Sequence, residues 1–360
     1  STDSTSSPQA SSGALRAGPS TFLRKEFTPS EVEGLWACTT CRACEEACPV
    51  MIEHVPQILD MRRNLVLMQG AFPPELQPVF QNLERQGNPW GISFEDRGSW
   101  AKGLDVPLLR DQPDAEYLYF VGCAASYDEK AKKTAQSFAR ILKKANVSFA
   151  ILGPEEKCTG DSARRLGNEY LAQQLIQENV ATLNRYSVKK IITTCPHCYN
   201  AIKNDFPQFG GNYEIWHHTE FLWNFCREQI SLFRDQQERK YSFPTITYHD
   251  PCYLGRYNQI YDAPRNLLRL VLGNEHRSLR EVDANRGLSR CCGAGGGRMW
   301  MEEAIGKRIN HMRLDDLKKT GATTIVTACP FCKTMLQDAV KETNMTGVDV
   351  RDVVEILEET

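Results

Sequence analysis

Two sets of four cysteines with nearly the same spacing constrain this chain more than any other feature. Cys123, Cys158, Cys195 and Cys198 lie 35, 37 and 3 residues apart, and Cys252, Cys291, Cys329 and Cys332 lie 39, 38 and 3 apart. The flanking residues agree: TTCPHC matches TACPFC, and EKCTGD matches SRCCGA. The chain therefore reads as a duplicated unit. Short apolar, β-branched runs precede the cysteines: YLYFVG before Cys123, KKIITT before Cys195, TITYHDP before Cys252 and TTIVTA before Cys329. VSFAIL and RSLREV are further strand candidates, and SARRLGNEYLAQQLIQENVATLNRY is the longest helical pattern. Strands alternating with helices predict parallel sheets covered by helices. We expect one α/β unit over 114–240 and a second over 241–360. Sites in such sheets form at the carboxyl ends of strands, so three loops should converge on one point in each half.

Composition narrows the chemistry. Of 360 residues, 14 are cysteine, and all but Cys226 sit in motif-like settings; Cys226 reads as a small buried hydrophobe. A disulfide framework suits short secreted chains that lack a core. Here 41% of residues are hydrophobic and there is no signal-peptide pattern, so clustered thiolates read as metal ligands. A net charge of −2 argues against a nucleic-acid partner. No apolar run approaches the roughly 18 residues of a membrane helix. Residues 1–30 are rich in Ser, Thr, Gly and Pro and are expected to be a disordered tail. Residues 71–113, rich in Pro, Gly and Trp, read as a connecting arm with a short helix.

Between tail and arm, over 31–70, CTTCRACEEACP places Cys38, Cys41, Cys44 and Cys48 in the spacing C-x2-C-x2-C-x3-C-P. That is the bacterial ferredoxin run for a four-iron, four-sulfide (4Fe–4S) cubane cluster. Zinc is the alternative, but it does not need four cysteines packed so closely. Such runs usually come in pairs and this sequence holds one. Either all four cysteines bind one cluster, or a partner motif lies outside this sequence.

RCCGAGGG, at 290–297, sets Cys291 and Cys292 side by side before a glycine run. It is not a dinucleotide fingerprint, because Arg298 stands where G-x-G-x-x-G needs its last glycine. With Cys252, Cys329 and Cys332 the second half offers five thiols. They suit a four-cysteine zinc or cubane site with one spare, or a centre that uses all five. The first half has Thr159 in place of Cys292. Its four thiols suit a cubane cluster, an incomplete five-ligand cluster or zinc. His197 in CPHC reads as a loop residue or a donor behind the ligands. His217 and His218 read as packing or a proton or quinone site, and His249 and Asp250 as strand-end residues or proton donors.

Cys252, RCCGAGGG and CPFC resemble the CCG domain of the heterodisulfide reductase family, and the resemblance covers about 31–360. It implies an α/β protein in which a small all-α ferredoxin-like domain precedes two Rossmann-like CCG domains. It also implies a noncubane 4Fe–4S cluster on Cys252, Cys291, Cys292, Cys329 and Cys332, which would be the reactive centre. Gly293, Gly295 and Gly296, with Gly297, would then let bare backbone approach the cluster sulfurs. Within the family, LWACTTCRACEEACPVMIEHVPQILDMRR, LERQGNPWG and TTCPHCYNAIKNDFPQFGGNYEIWHHTEFL look most like the iron–sulfur proteins linking electron-transfer flavoprotein to menaquinone. The partners so implied are electron-transfer flavoprotein or another flavoprotein, and a haem-binding, quinone-reducing membrane domain or subunit. The implied location is the cytoplasmic, inner face of the membrane. A disulfide reductase subunit is the alternative. A structural zinc protein without redox work has the ferredoxin run against it.

Overall fold

The computed structural model describes residues 28–225, 227, 245–272, 279–303 and 306–359. The expected tail and Cys226 lie outside them, apart from the tail's last three positions.

The two halves each build a four-stranded parallel sheet. The first contains β1 (Tyr117–Phe120), β2 (Phe149–Ala150), β3 (Lys190–Thr193) and β4 (Glu214–His217), in the order β2-β1-β3-β4. The second contains β5 (Ile246–Tyr248), β6 (Leu279–Arg280), β7 (Thr324–Thr327) and β8 (Asp349–Asp352), in the order β6-β5-β7-β8. All neighbours are parallel; Tyr119 pairs with Ile192 and Thr247 with Ile325. The central strands β1 and β7 are buried along their whole length, as expected where helices cover both faces of a parallel sheet. The edge strands β4 and β8 were not expected from the sequence. EIWH and DVRD carry polar residues on a half-exposed edge, so they present no apolar run.

Helices cross between the strands. Asp128 caps Glu129–Lys144 through the backbone N–H groups of Lys130 and Ala131. The long helix expected over 162–186 is two helices, Asp161–Arg165 and Glu169–Arg185. The break falls at Gly167, whose φ is +85° and where a Cβ would lie 2.6 Å from the Arg62 main chain. Only glycine tolerates both conditions. Likewise the pattern over 302–321 yields the helix Ile309–Lys318.

The two halves share one core. Tyr117, Tyr119, Phe138 and Leu142 from the first meet Ile246, Tyr248, Leu268, Val354 and Leu357 from the second. The preceding segment is helical: Pro29–Ala37 opens with a capping box between Thr28 and Glu31, and Ala43–Glu46 and His54–Arg63 follow. The arm carries the helix Leu76–Gln86 and the 3₁₀ stretch Phe94–Ala101.

One buried side chain ties these parts together. The Arg62 guanidinium donates to the carbonyl oxygens of Leu35 (2.6 Å), Cys38 (2.7 Å), Arg165 (2.8 Å) and Gly296 (2.9 Å). It thereby joins the cysteine-rich turn to both halves, and a buried guanidinium is tolerated because its donors are matched.

Candidate metal centres

In the first half, Cys123 opens the helix Cys123–Tyr127 directly after β1, and Cys158 lies in the loop before Asp161–Arg165. Cys195 is the N-cap of Pro196–Asn204, with Cys198 in its first turn. A proline in the first turn costs no helical hydrogen bond, and a helix N-terminus favours thiolates. All four cysteines are buried. Cys123 and Cys158 lie close enough to shift one another's titration, as do Cys195 and Cys198. Thr159 is buried beside them.

A residue of the arm completes this site. Arg97, 1% exposed, donates through Nη2 to Cys123 Sγ at 3.4 Å and to Glu156 Oε1 at 2.8 Å. The Glu156 carboxylate also accepts from the N–H groups of Val121 (2.9 Å) and Gly122 (2.8 Å). Burial pushes the Cys123 thiol up, but the neighbouring Cys158 and the Arg97 charge outweigh it and hold it at about 7. Neither Arg97 nor Glu156 was expected. Each stands among polar neighbours, and the sequence shows no sign that they are buried together.

In the second half, Cys252 follows β5, Cys329 is the N-cap of Pro330–Glu342, and Cys332 sits in that helix's first turn. All five cysteines are buried. They form one buried cluster with Tyr253, Ala294 and Met335. The Gly293 N–H donates to Cys291 Sγ at 3.3 Å. The neighbouring Cys291 and Cys332 pull the Cys292 thiol down to about 5, against burial. A ring nitrogen of His249 and the Cys292 and Cys332 sulfurs lie within 4.8 Å of one another.

The cysteine-rich turn docks onto this second site. Cys41 packs against the buried cluster of the five cysteines, and the neighbouring Cys291 together with burial pushes its thiol strongly up. Arg256 donates to the Cys41 carbonyl at 2.6 Å and the Tyr257 hydroxyl to the Thr40 carbonyl at 2.7 Å. Thr40 Oγ1 and the Tyr253 hydroxyl share a hydrogen bond of 3.0 Å. The glycine run is what permits the approach. A Cβ at Gly295 would lie 2.3 Å from the Thr39 carbonyl oxygen, and one at Gly296 2.3 Å from that of Cys38. At these two glycines the close neighbour is thus the main chain of the cysteine-rich turn. Cys38 and Cys41 are half-buried, whereas Cys44 is exposed and Cys48 accepts from the Ile52 N–H at 3.4 Å.

His197 stacks on Tyr253 (3.9 Å between centroids), which stacks on Tyr257 (4.2 Å), which carries Arg42 at 4.1 Å. Its Nδ1 meets Asp161 Oδ2 at 2.8 Å. This column runs between the two halves and up to the cysteine turn. His217 and His218 are fully buried where the halves meet, and His218 Nε2 lies 3.1 Å from Asp352 Oδ1. Arg265 grips both Asp250 oxygens at 2.7 and 2.8 Å.

The donor sets fit iron–sulfur clusters chemically. All 13 described cysteines are free, and nine lie buried in groups of four and five with N–H donors and guanidinium groups beside their sulfurs.

Comparison with known proteins agrees with this site. The CCG cysteine-rich domain matches residues 117–203 and again 246–337, covering the first three strands of each sheet and both groups of buried cysteines. The chain belongs to the iron–sulfur oxidoreductases built on paired CCG domains. It is 46% identical to the EtfAB:quinone oxidoreductase of Syntrophomonas wolfei, over 90% of this chain and 46% of that one. It is 43% identical to the probable iron-sulfur-binding oxidoreductase FadF of Bacillus subtilis, over 98% of this chain and 49% of that one. It is 33% identical to a subunit of the dihydromethanophenazine:CoB–CoM heterodisulfide reductase of Methanosarcina barkeri, over 94% of this chain and 81% of that one. The chain spans about half the length of the first two relatives.

Proposed function

We propose that this chain is an electron relay that takes electrons from electron-transfer flavoprotein and passes them toward a membrane quinone pool. Cys38, Cys41, Cys44 and Cys48 hold a 4Fe–4S cubane cluster. Cys252, Cys291, Cys292, Cys329 and Cys332 hold a noncubane 4Fe–4S cluster. Cys123, Cys158, Cys195 and Cys198 hold a third centre, which we assign as 4Fe–4S rather than zinc. Such clusters supply one-electron chemistry, so a two-electron donor is split at a flavin elsewhere.

The observation that carries this reading is the packing of Cys41 against the buried cluster that contains all five cysteines of the second site. A ferredoxin-type turn is clamped by Arg62, Arg256 and Tyr257 against the five-thiol site, which would set two electron carriers side by side. The chain's own residues fix the separation, exclude water and supply N–H and guanidinium donors that stabilise reduced, more negative sulfurs. Among the described residues no helix is long and apolar enough to cross a membrane. The quinone step is therefore assigned to a haem-binding membrane domain or subunit, which holds the relay at the inner face. The test is stopped-flow reduction of the anaerobic protein by reduced electron-transfer flavoprotein. Reduction faster than that of a ferredoxin control is expected; equal rates would remove the flavoprotein from the scheme.

The match over most of a heterodisulfide reductase subunit favours a second reading. There the five-thiol site cleaves a disulfide, which takes two electrons and two protons and yields two thiols. Catalytic reoxidation of the dithionite-reduced protein by a small disulfide, with no response to flavoprotein, would establish it.

A further inference from the structure

His249 ends the run from β5 into the second site, three residues before Cys252. It is 1% exposed. Its Nδ1 lies 3.0 Å from Arg313 Nε. A guanidinium nitrogen of this kind can only donate, so Nδ1 is the acceptor and carries no proton. In the neutral ring the proton then sits on Nε2. Nε2 is buried and has no hydrogen-bond partner among the described protein atoms. An unpaired buried N–H is costly, and a ring nitrogen of His249 is grouped with Cys292 Sγ and Cys332 Sγ within 4.8 Å. With Nδ1 held by Arg313, Nε2 is the nitrogen left to face those sulfurs.

We propose that His249 is a positioning residue of the second centre: a neutral imidazole whose Nε2–H donates to sulfur at Cys292 or Cys332 and raises the reduction potential there. This rests on the reading of the five cysteines as cluster ligands. It separates His249 from those ligands, because a protonated nitrogen has no lone pair for iron. Arg313 fixes the tautomer; it is itself buried and donates through Nη1 to the Ala284 carbonyl at 3.1 Å. Reduction adds negative charge to the cluster sulfurs, so a fixed donor stabilises the reduced state more than the oxidised one. The first half provides an internal contrast. Counting back three residues from Cys123 gives Phe120, fully buried and without a donor. The repeats therefore differ at this position by one N–H group.

The test uses the full chain with reconstituted clusters. Three proteins are compared: wild type, His249→Phe, which copies the first repeat, and His249→Gln, whose amide can place a donor near the Nε2 position. Iron and sulfide are measured first, and the reduction midpoint of the second centre is followed by EPR. At unchanged iron content, His249→Phe should lower the equilibrium constant for one-electron reduction about tenfold, or about 59 mV. His249→Gln should recover part of the shift. Pulsed EPR of wild type labelled with 15N-histidine should show weak nitrogen coupling and an exchangeable deuteron after transfer to D2O. An unchanged midpoint in His249→Phe, or the strong coupling of a nitrogen bound directly to iron, would overturn the proposal. If His249→Phe loses the cluster, the wild-type coupling decides. Wild type without iron at the second site would instead refute the ligand assignment itself.

Discussion

The two repeats share a sheet, a strand order and four cysteines at matching positions, yet their surroundings differ at almost every contact. The first site has four thiols, closed over by an arginine from the arm. The second has five, closed over by the cysteine-rich turn. At the positions of Gly295 and Gly296 the first repeat has Ser162 and Ala163, within the helix Asp161–Arg165. There no turn has to approach, and side chains are allowed. Duplication thus supplied two matching thiol pockets, and a different segment is laid over each. The first became a sealed site beside a buried cation, and the second became the docking point of another cysteine cluster.

The largest effect should come from opening the first lid. Arg97→Ala leaves Glu156 buried without its cation, and breaking such a pair costs about 3–5 kcal/mol. Denaturant unfolding should show that loss. A cost under about 1 kcal/mol would mean that the backbone N–H groups of Val121 and Gly122 satisfy Glu156 alone. Next comes the second lid. Gly296→Ala places a methyl group against the Cys38 carbonyl at a φ of +62°, costing about 1–3 kcal/mol through strain and displacement. It should also loosen any magnetic coupling between the first cluster and the second site, read by EPR. The reverse change, Ala163→Gly in the first repeat, should leave that spectrum alone.

A third test sharpens the comparison where the repeats meet. The fourth strands end in His217 and Asp352, and His218 reaches across to Asp352. Burial pushes the Asp352 carboxyl up to about 7, against the pull of the Val354 N–H and the nearby Lys333 ammonium. Burial likewise pushes His218 down to about 3, so the imidazole is neutral over the working range. A carboxyl whose folded pKa is raised stabilises the fold below its unfolded pKa of about 4, and that contribution is lost as pH rises through about 7. Asp352→Asn should therefore be more stabilising at pH 8 than at pH 5, by about 2–3 kcal/mol. The thermal midpoint across that range is the readout, and a parallel shift at both pH values would refute it. The smallest effect is expected at Thr159, the counterpart of Cys292. Thr159→Ser should leave the spectrum of the first centre unchanged, whereas Cys292→Ser should alter that of the second.

The sequence disclosed the repeat, its central strands and the cysteines at their ends, because β-branched runs and regular intervals are local signals. The edge strands β4 and β8 escaped because they carry polar residues and are paired on one side. The helix break at Gly167 escaped because its cause is the Arg62 backbone, far away in sequence. The glycine run was noticed, but the reason for Gly295 and Gly296 lies in the Cys38–Thr39 main chain and not in the neighbouring thiols. Arg97 and Glu156 gave no signal at all: a charged residue in a Gly- and Trp-rich arm reads as solvated until its partner is seen. His249 was visible as a neighbour of Cys252, but its tautomer depends on Arg313.

What the three groups of cysteines hold decides between an electron relay and a zinc-bound scaffold. The direct measurement is iron, zinc and acid-labile sulfide in anaerobically purified protein, with low-temperature EPR of the reduced sample. Three iron–sulfur centres predict about 12 iron atoms per chain, on the order of four per cluster, with matching sulfide and no stoichiometric zinc. About four iron atoms with one or two zinc ions would contradict the relay, leaving a single ferredoxin-type centre on a zinc-bound scaffold.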